Sequence, residues 1–176
     1  MNQESMSLRS AYVELLSSMD TKYHLTITFP MHTSKASCQN LLNLLLKNLN
    51  RRIYKKRYDK GQSYIQGAVI KEHTYAMDTD HYHILVVDDH HLPDYERMKN
   101  LIEKQLQLLG NDEIHTKKKN YIAGYCLQHY YNSGSNNLEE YLTKQFEKVP
   151  SFPLQAADAV GLLGNGRVMF GSSVKL

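Results

Sequence analysis

The sequence predicts an α+β fold, a central antiparallel sheet with helices on its faces. Three observations carry that expectation. Apolar residues recur at helical spacing in two long segments, other segments alternate or run apolar in the manner of strands, and the two kinds interleave along the chain. At 176 residues and 41% hydrophobic composition, the chain suits one globular domain.

Residues 6–19 suit a short amphipathic helix, with Leu8, Tyr12, Leu15 and Leu16 on one stripe. "KYHLTITFP" (22–30) alternates and is rich in β-formers, so it reads as a strand ended by Pro30. Thr33, Ser34 and Ser37 offer N-caps to the clearest helix of the chain, marked by Leu41, Leu42, Leu45, Leu46, Leu49, Ile53 and Tyr54 and broken by "YDKGQS". "SYIQGAVIKEHTYA" (63–76) and "HYHILVVDD" (81–89) flank the turn "MDTD" and predict an antiparallel hairpin. Pro93 and Asp94 open a second long helix that runs to Gly110. A basic loop follows, then a strand over 121–132, a turn at "SGSNN" and a short helix over 138–149. The order β-α-β-β-α-β-α is a ferredoxin-like arrangement within a domain of residues 1–150. Residues 151–176, with Pro, Gly and Ser scattered through them, read as a C-terminal tail or the start of a further segment.

No apolar run approaches the roughly 20 residues of a membrane span, and the N-terminus lacks a basic region followed by an apolar one. Cys38 and Cys126 fit no metal spacing and read as reduced thiols, which points to a cytoplasmic compartment. The net charge of +3 is unevenly spread: "RRIYKKRYDK" (51–60) holds six cations against one acid, and "TKKKN" (116–120) is a second cluster. Either run alone could be a solvated face. Together, with Tyr54, Tyr58 and Tyr121 among them, they point to a polyanion, because tyrosine rings stack on bases.

The chemistry concentrates in three places. His81 and His83 alternate along a strand, so they share a face about 7 Å apart and can share a divalent ion. Across the hairpin lie Glu72 and His73, on opposite faces; Glu72 is the expected third ligand, an oxygen donor suited to magnesium or manganese at a phosphate. Tyr141 and Lys144 are three apart on the last predicted helix and share its face. A phenol of ordinary pKa about 10 is a weak nucleophile at neutral pH, and a neighbouring ammonium or metal stabilises its phenolate. His32, His90, His91, His115 and His129 have no partner at metal spacing and read as surface or loop residues.

Together, "YHLTITFP", the histidine–hydrophobic–histidine strand "HYHILVV" with Glu72 upstream, and "YLTK" at 141–144 resemble the HUH endonucleases. They are most similar to the nuclease domain of rolling-circle replication initiators (Rep), and the resemblance covers residues 22–148. Conjugative relaxases carry their tyrosine before the histidine strand; here Tyr12 precedes it without a matching lysine. Position 145, where some phage initiators have a second tyrosine, is glutamine. Single-tyrosine HUH transposases have a metal-binding glutamine four residues after their tyrosine, and Gln145 fits that pattern, whereas Lys144 fits the initiators.

The resemblance implies site-specific nicking and joining of single-stranded or hairpin origin DNA through a covalent 5′-phosphotyrosine on Tyr141. His81, His83 and Glu72 would hold manganese or magnesium, with Gln145 as a further candidate ligand. Arg51, Arg52, Lys55, Lys56, Arg57, Lys117, Lys118 and Lys119 would grip phosphates. Host helicase and polymerase would be the partners, in the cytoplasm of a bacterial or archaeal host or in the nucleus for a eukaryotic virus. The competing readings are a single-tyrosine transposase, a nucleic-acid-binding module without chemistry, and a two-histidine phosphoesterase, for which His24-Leu25-Thr26 supplies only one of two expected motifs.

Overall fold

A computed structural model describes residues 3–74, 79–110, 122–130, 142–143, 159–164 and 167–170. Along the chain lie α1 (Gln3–Ser17), β1 (Thr21–Thr28), α2 (Lys35–Tyr54), the four-residue α3 (Lys56–Asp59), β2 (Gly67–Thr74) and β3 (Thr79–Val87). They are followed by α4 (Tyr95–Gly110), β4 (Gly124–His129), β5 (Val160–Gly164) and β6 (Arg167–Phe170). The strands form one six-stranded antiparallel sheet in the order β4-β1-β3-β2-β5-β6.

The histidine strand β3 is therefore central, paired to β1 on one side and β2 on the other. Its pleat sends Tyr82, Ile84 and Val86 to one face and Leu85 to the other, and all four are buried. Burial on both faces accounts for the unbroken apolar run Ile84–Val86.

α2 and α4 cover the first face. Ser34 caps α2, accepting from the Ser37 backbone N–H, and the helix buries Leu42, Leu45, Leu46 and Leu49 against Tyr23, Leu25, Ile27, Tyr82, Ile84 and Val69. Met98 and Ile102 of α4 complete this cluster. Asn50, also buried, stitches the helix to the chain entering β2: its Nδ2 donates to Leu46 O at 2.8 Å, and its Oδ1 accepts from the Ile65 N–H at 2.6 Å. A Cβ at Gly67, where φ is +148°, would stand 1.8 Å from the Leu85 carbonyl oxygen, so the start of β2 approaches β3 as only glycine allows.

The second face is covered in part. Leu16 of α1, Ala68, Ile70, Leu85, Val160 and Leu142 form a smaller buried cluster there, with Tyr12 and Met19 packed against it. Leu15, expected on the apolar stripe of α1, faces solvent.

The expected tail departs most from the structure. Residues 160–164 and 167–170 are not a tail but two strands that extend the sheet beyond β2. Val160, Leu163 and Val168 are buried, and the Val168 N–H donates to Asn43 Oδ1 of α2 at 2.9 Å, so a helix side chain occupies a donor on the last strand. The loop at 111–120, the turn at 133–137 and all of the 138–149 helix except residues 142 and 143, which are helical, lie outside the described residues. None of the described helices is long and apolar enough to cross a membrane.

Candidate functional site

Register decides which polar side chains meet. Directly opposed residues of antiparallel strands share a face. Thr28 and Glu72 flank His81, while Thr26 and Ile70 flank His83. His24, Thr26, Glu72, His81 and His83 therefore stand on the second face, beside the Leu16–Leu142 cluster.

Two of the three expected ligands are in contact. His83 Nε2 lies 3.2 Å from Glu72 Oε2. That is close to the separation of about 3 Å between neighbouring ligands around an octahedral ion with bonds near 2.1 Å. His81 lies directly across from Glu72, yet Glu72, His81 and His83 are not among the groups whose ligand atoms all lie within 4.8 Å of one another. The Nε2 of His81 is buried without a hydrogen-bond partner. An orphaned buried nitrogen is costly, and a ligand for it would remove that cost. His81 and Glu72 are directly opposed, and opposed Cβ atoms stand only about 5 Å apart. The donor set suits a divalent ion on these grounds. His73, expected on the opposite face from Glu72, contacts the buried carboxyl of Asp80 at 2.9 Å.

The strand before the hairpin adds residues that spacing did not single out as part of this site. His24 Nε2 lies 3.2 Å from His83 Nδ1, the rings stack at 5.4 Å, and Thr26 Oγ1 is 3.3 Å from the same Nδ1. Burial pushes the His24 imidazole down to about 4; the nearby His83 adds to the shift and a hydrogen bond to the Gln128 side chain opposes it. His24 is thus neutral at physiological pH. His83 is held from both sides, by His24 and Thr26 at Nδ1 and by Glu72 at Nε2.

Tyr141, Lys144 and Gln145 lie outside the described residues, as do Lys117, Lys118 and Lys119. The two residues between Tyr141 and Lys144 are described. Leu142 is buried in the second-face cluster, and Thr143 is buried and accepts from Arg9 Nε of α1 at 3.3 Å. The middle of "YLTK" therefore packs on the face that carries the histidines.

The basic cluster goes elsewhere. Arg51, Arg52, Lys55, Lys56 and Arg57 are exposed at the end of α2 and in α3, over the first face. Tyr54 in their midst donates to Asp89 Oδ2 at 3.1 Å. Asp89 lies beyond the far end of β3, and even Val87 is about 13 Å along the strand from His83. Arg51 also pairs with Asp59 at 3.6 Å. Lys47, Arg51, Tyr58, Asp59, Gly61 and Tyr64 line a cleft of about 420 Å³ there.

At that far end His90 and His91 lie in the turn after β3, as expected of surface or loop residues, but they do not lack a partner. Their Nδ1 atoms each lie 3.0 Å from Asp89 Oδ1. The turn after β3 folds the three consecutive side chains onto one another, which residue spacing alone does not reveal. Comparison with known proteins adds no relative: no family model, no curated protein and no solved structure gives a significant match to the chain.

Proposed function

We propose that the chain is an HUH-type endonuclease and strand transferase that nicks and rejoins single-stranded DNA, as the nuclease domain of a rolling-circle replication initiator does. The observation that carries this reading is the meeting of Glu72 and His83 on one sheet face, with His81 beside them and Leu142 of the Tyr-x-x-Lys segment buried against that same face. The order β4-β1-β3-β2 of the first four strands supports the ferredoxin-like arrangement of Rep/HUH type.

Glu72, His81 and His83 would hold manganese or magnesium, which polarises a phosphate and stabilises the charge that develops on it. For His83 to offer Nε2 to an ion, its proton must sit on Nδ1. A neutral His24 accepts that Nδ1–H, and so does the hydroxyl of Thr26. In that tautomer the pair would hold the ring plane of His83.

Tyr141 Oη forms a bond to phosphorus as the bond from phosphorus to the 3′ oxygen breaks. The phenol gives up its proton and the departing oxygen gains one, leaving a 5′-phosphotyrosine and a free 3′-OH able to prime synthesis. Lys144 balances charge on the phosphoryl group. Attack by a 3′-OH reverses the step, because the phosphodiester is conserved in the protein link. Exposed cations at 51–57 would bind phosphates several nucleotides away from the scissile one, with affinity falling as salt rises.

A two-histidine phosphoesterase would need a second histidine followed two residues on by a hydroxyl, but position 83, two after His81, is a histidine. A random single-stranded oligonucleotide library, incubated with the full chain and manganese, tests the proposal. DNA should become resistant to removal from protein by denaturant, and EDTA should prevent this. A chain that binds the library equally with and without EDTA and forms no adduct would be a binding module instead. If Gln145→Ala raises the manganese concentration needed for adduct formation by about tenfold or more, the transposase reading replaces that of an initiator.

A further inference from the structure

We infer that Asp89, His90 and His91 form a second divalent-metal site, of zinc type, separate from the histidines of β3. Asp89 Oδ1 lies 3.0 Å from His90 Nδ1 and 3.0 Å from His91 Nδ1. Among the described residues this is the one group of three potential ligands whose donor atoms all lie within 4.8 Å of one another. A tetrahedral ion with bonds near 2.0–2.1 Å keeps its ligand atoms about 3.3 Å apart, so small ring rotations suffice to admit one. Two imidazoles and one carboxylate suit zinc and its neighbours in the transition series better than magnesium.

The surroundings of Asp89 are built around its carboxylate. Tyr54 of α2 donates to Oδ2 at 3.1 Å, which orients the group and leaves Oδ1 facing the two imidazoles. The His91 backbone N–H also donates to Oδ1, at 3.0 Å. The His91 ring also packs on Tyr54, with centroids 5.9 Å apart. His90, by contrast, is 84% exposed and still folds back onto His91 and Asp89. Its exposure leaves the outer side of the site open for water to complete the coordination. An ion here would stiffen the turn between β3 and α4, which the Tyr54–Asp89 hydrogen bond ties to the end of α2 beside the basic cluster.

Zinc titration of the full chain at neutral pH, by calorimetry, tests it. A His81→Ala/His83→Ala variant should retain one zinc equivalent. His90→Ala, which removes an exposed ring and so spares the fold, should weaken that equivalent by more than the tenfold expected from loss of an outer-shell partner, and Tyr54→Phe should weaken it about tenfold. His91→Ala should abolish it. Cobalt in place of zinc should give a visible absorption band in the His81→Ala/His83→Ala variant that His91→Ala removes. Loss of all zinc binding in the His81→Ala/His83→Ala variant, or unchanged affinity in His90→Ala, overturns the site. DNA adduct formation by the His90→Ala variant should match that of the unaltered chain, so failure here and failure of the nicking proposal are distinguishable.

Discussion

The two faces of the sheet are built to different ends. The first is closed by α2 and α4 with an almost wholly apolar cluster, running from Tyr23 and Leu25 through Leu42, Leu45 and Leu49 to Ile102. The second is apolar only around Leu16, Leu85, Leu142 and Val160, and beside that patch it carries His24, Thr26, Glu72, His81 and His83. A single strand, β3, serves both: Tyr82 locks into the closed face with its ring edge-on to Phe29 at 5.7 Å, while His81 and His83 alternate onto the other. The closed face fixes the place of β3 in the sheet, and the register with β1 and β2 sets which polar side chains surround the imidazoles on the other face.

That division can be broken from either side. Gly67→Ala should have the largest effect, because its Cβ would collide with the Leu85 backbone; urea unfolding should show a loss on the order of 4 kcal/mol or more, or no folded protein at all. Leu45→Ala on the closed face should cost about 2–5 kcal/mol. It should leave adduct formation per folded molecule unchanged, and a matching loss of activity would mean that the faces are not separable. Glu72→Gln should do the reverse, lowering adduct formation by at least about 100-fold while moving the unfolding midpoint little.

His24 links stability to pH. Its folded-state pKa of about 4 lies below the ordinary value of 6.5, so between those values the unfolded chain binds more protons. Stability is therefore full above about pH 6.5 and falls as pH drops toward 4, by up to about 3 kcal/mol. His24→Gln should flatten that part of the profile. The smallest effect is expected of Arg52→Ala, which should reduce the salt slope of oligonucleotide binding by about 0.7 without touching metal dependence.

Most of the layout could be read from the residues, for reasons the structure makes plain. α2, α4 and β1 to β3 are segments whose burial pattern is their hydrophobic pattern, so periodicity finds them. α3 spans one turn, too short for any period. β5 and β6 are only five and four residues long, and the scattered Pro, Gly and Ser around them read as a tail. Yet Asn165-Gly166 stands between two short apolar runs, a strong hairpin signal by itself. In the site, alternation puts His81 and His83 on one face and singles out Glu72 over His73 as the facing acid. The contact between His24 and His83 depends on the register of β1 against β3, which no local pattern carries. Nor does charge clustering say where a patch sits: the cations at 51–57 cover the end of the sheet farthest from the imidazoles.

The proposed function stands or falls on covalent linkage of Tyr141 to DNA. Peptide mass spectrometry on the full chain, after reaction with the single-stranded library in manganese and nuclease trimming, tests it most directly. A 5′-phosphonucleotide should be found on Tyr141 and be lost in Tyr141→Phe. An adduct on any other of the 13 tyrosines, or an adduct that survives that substitution, would contradict the account.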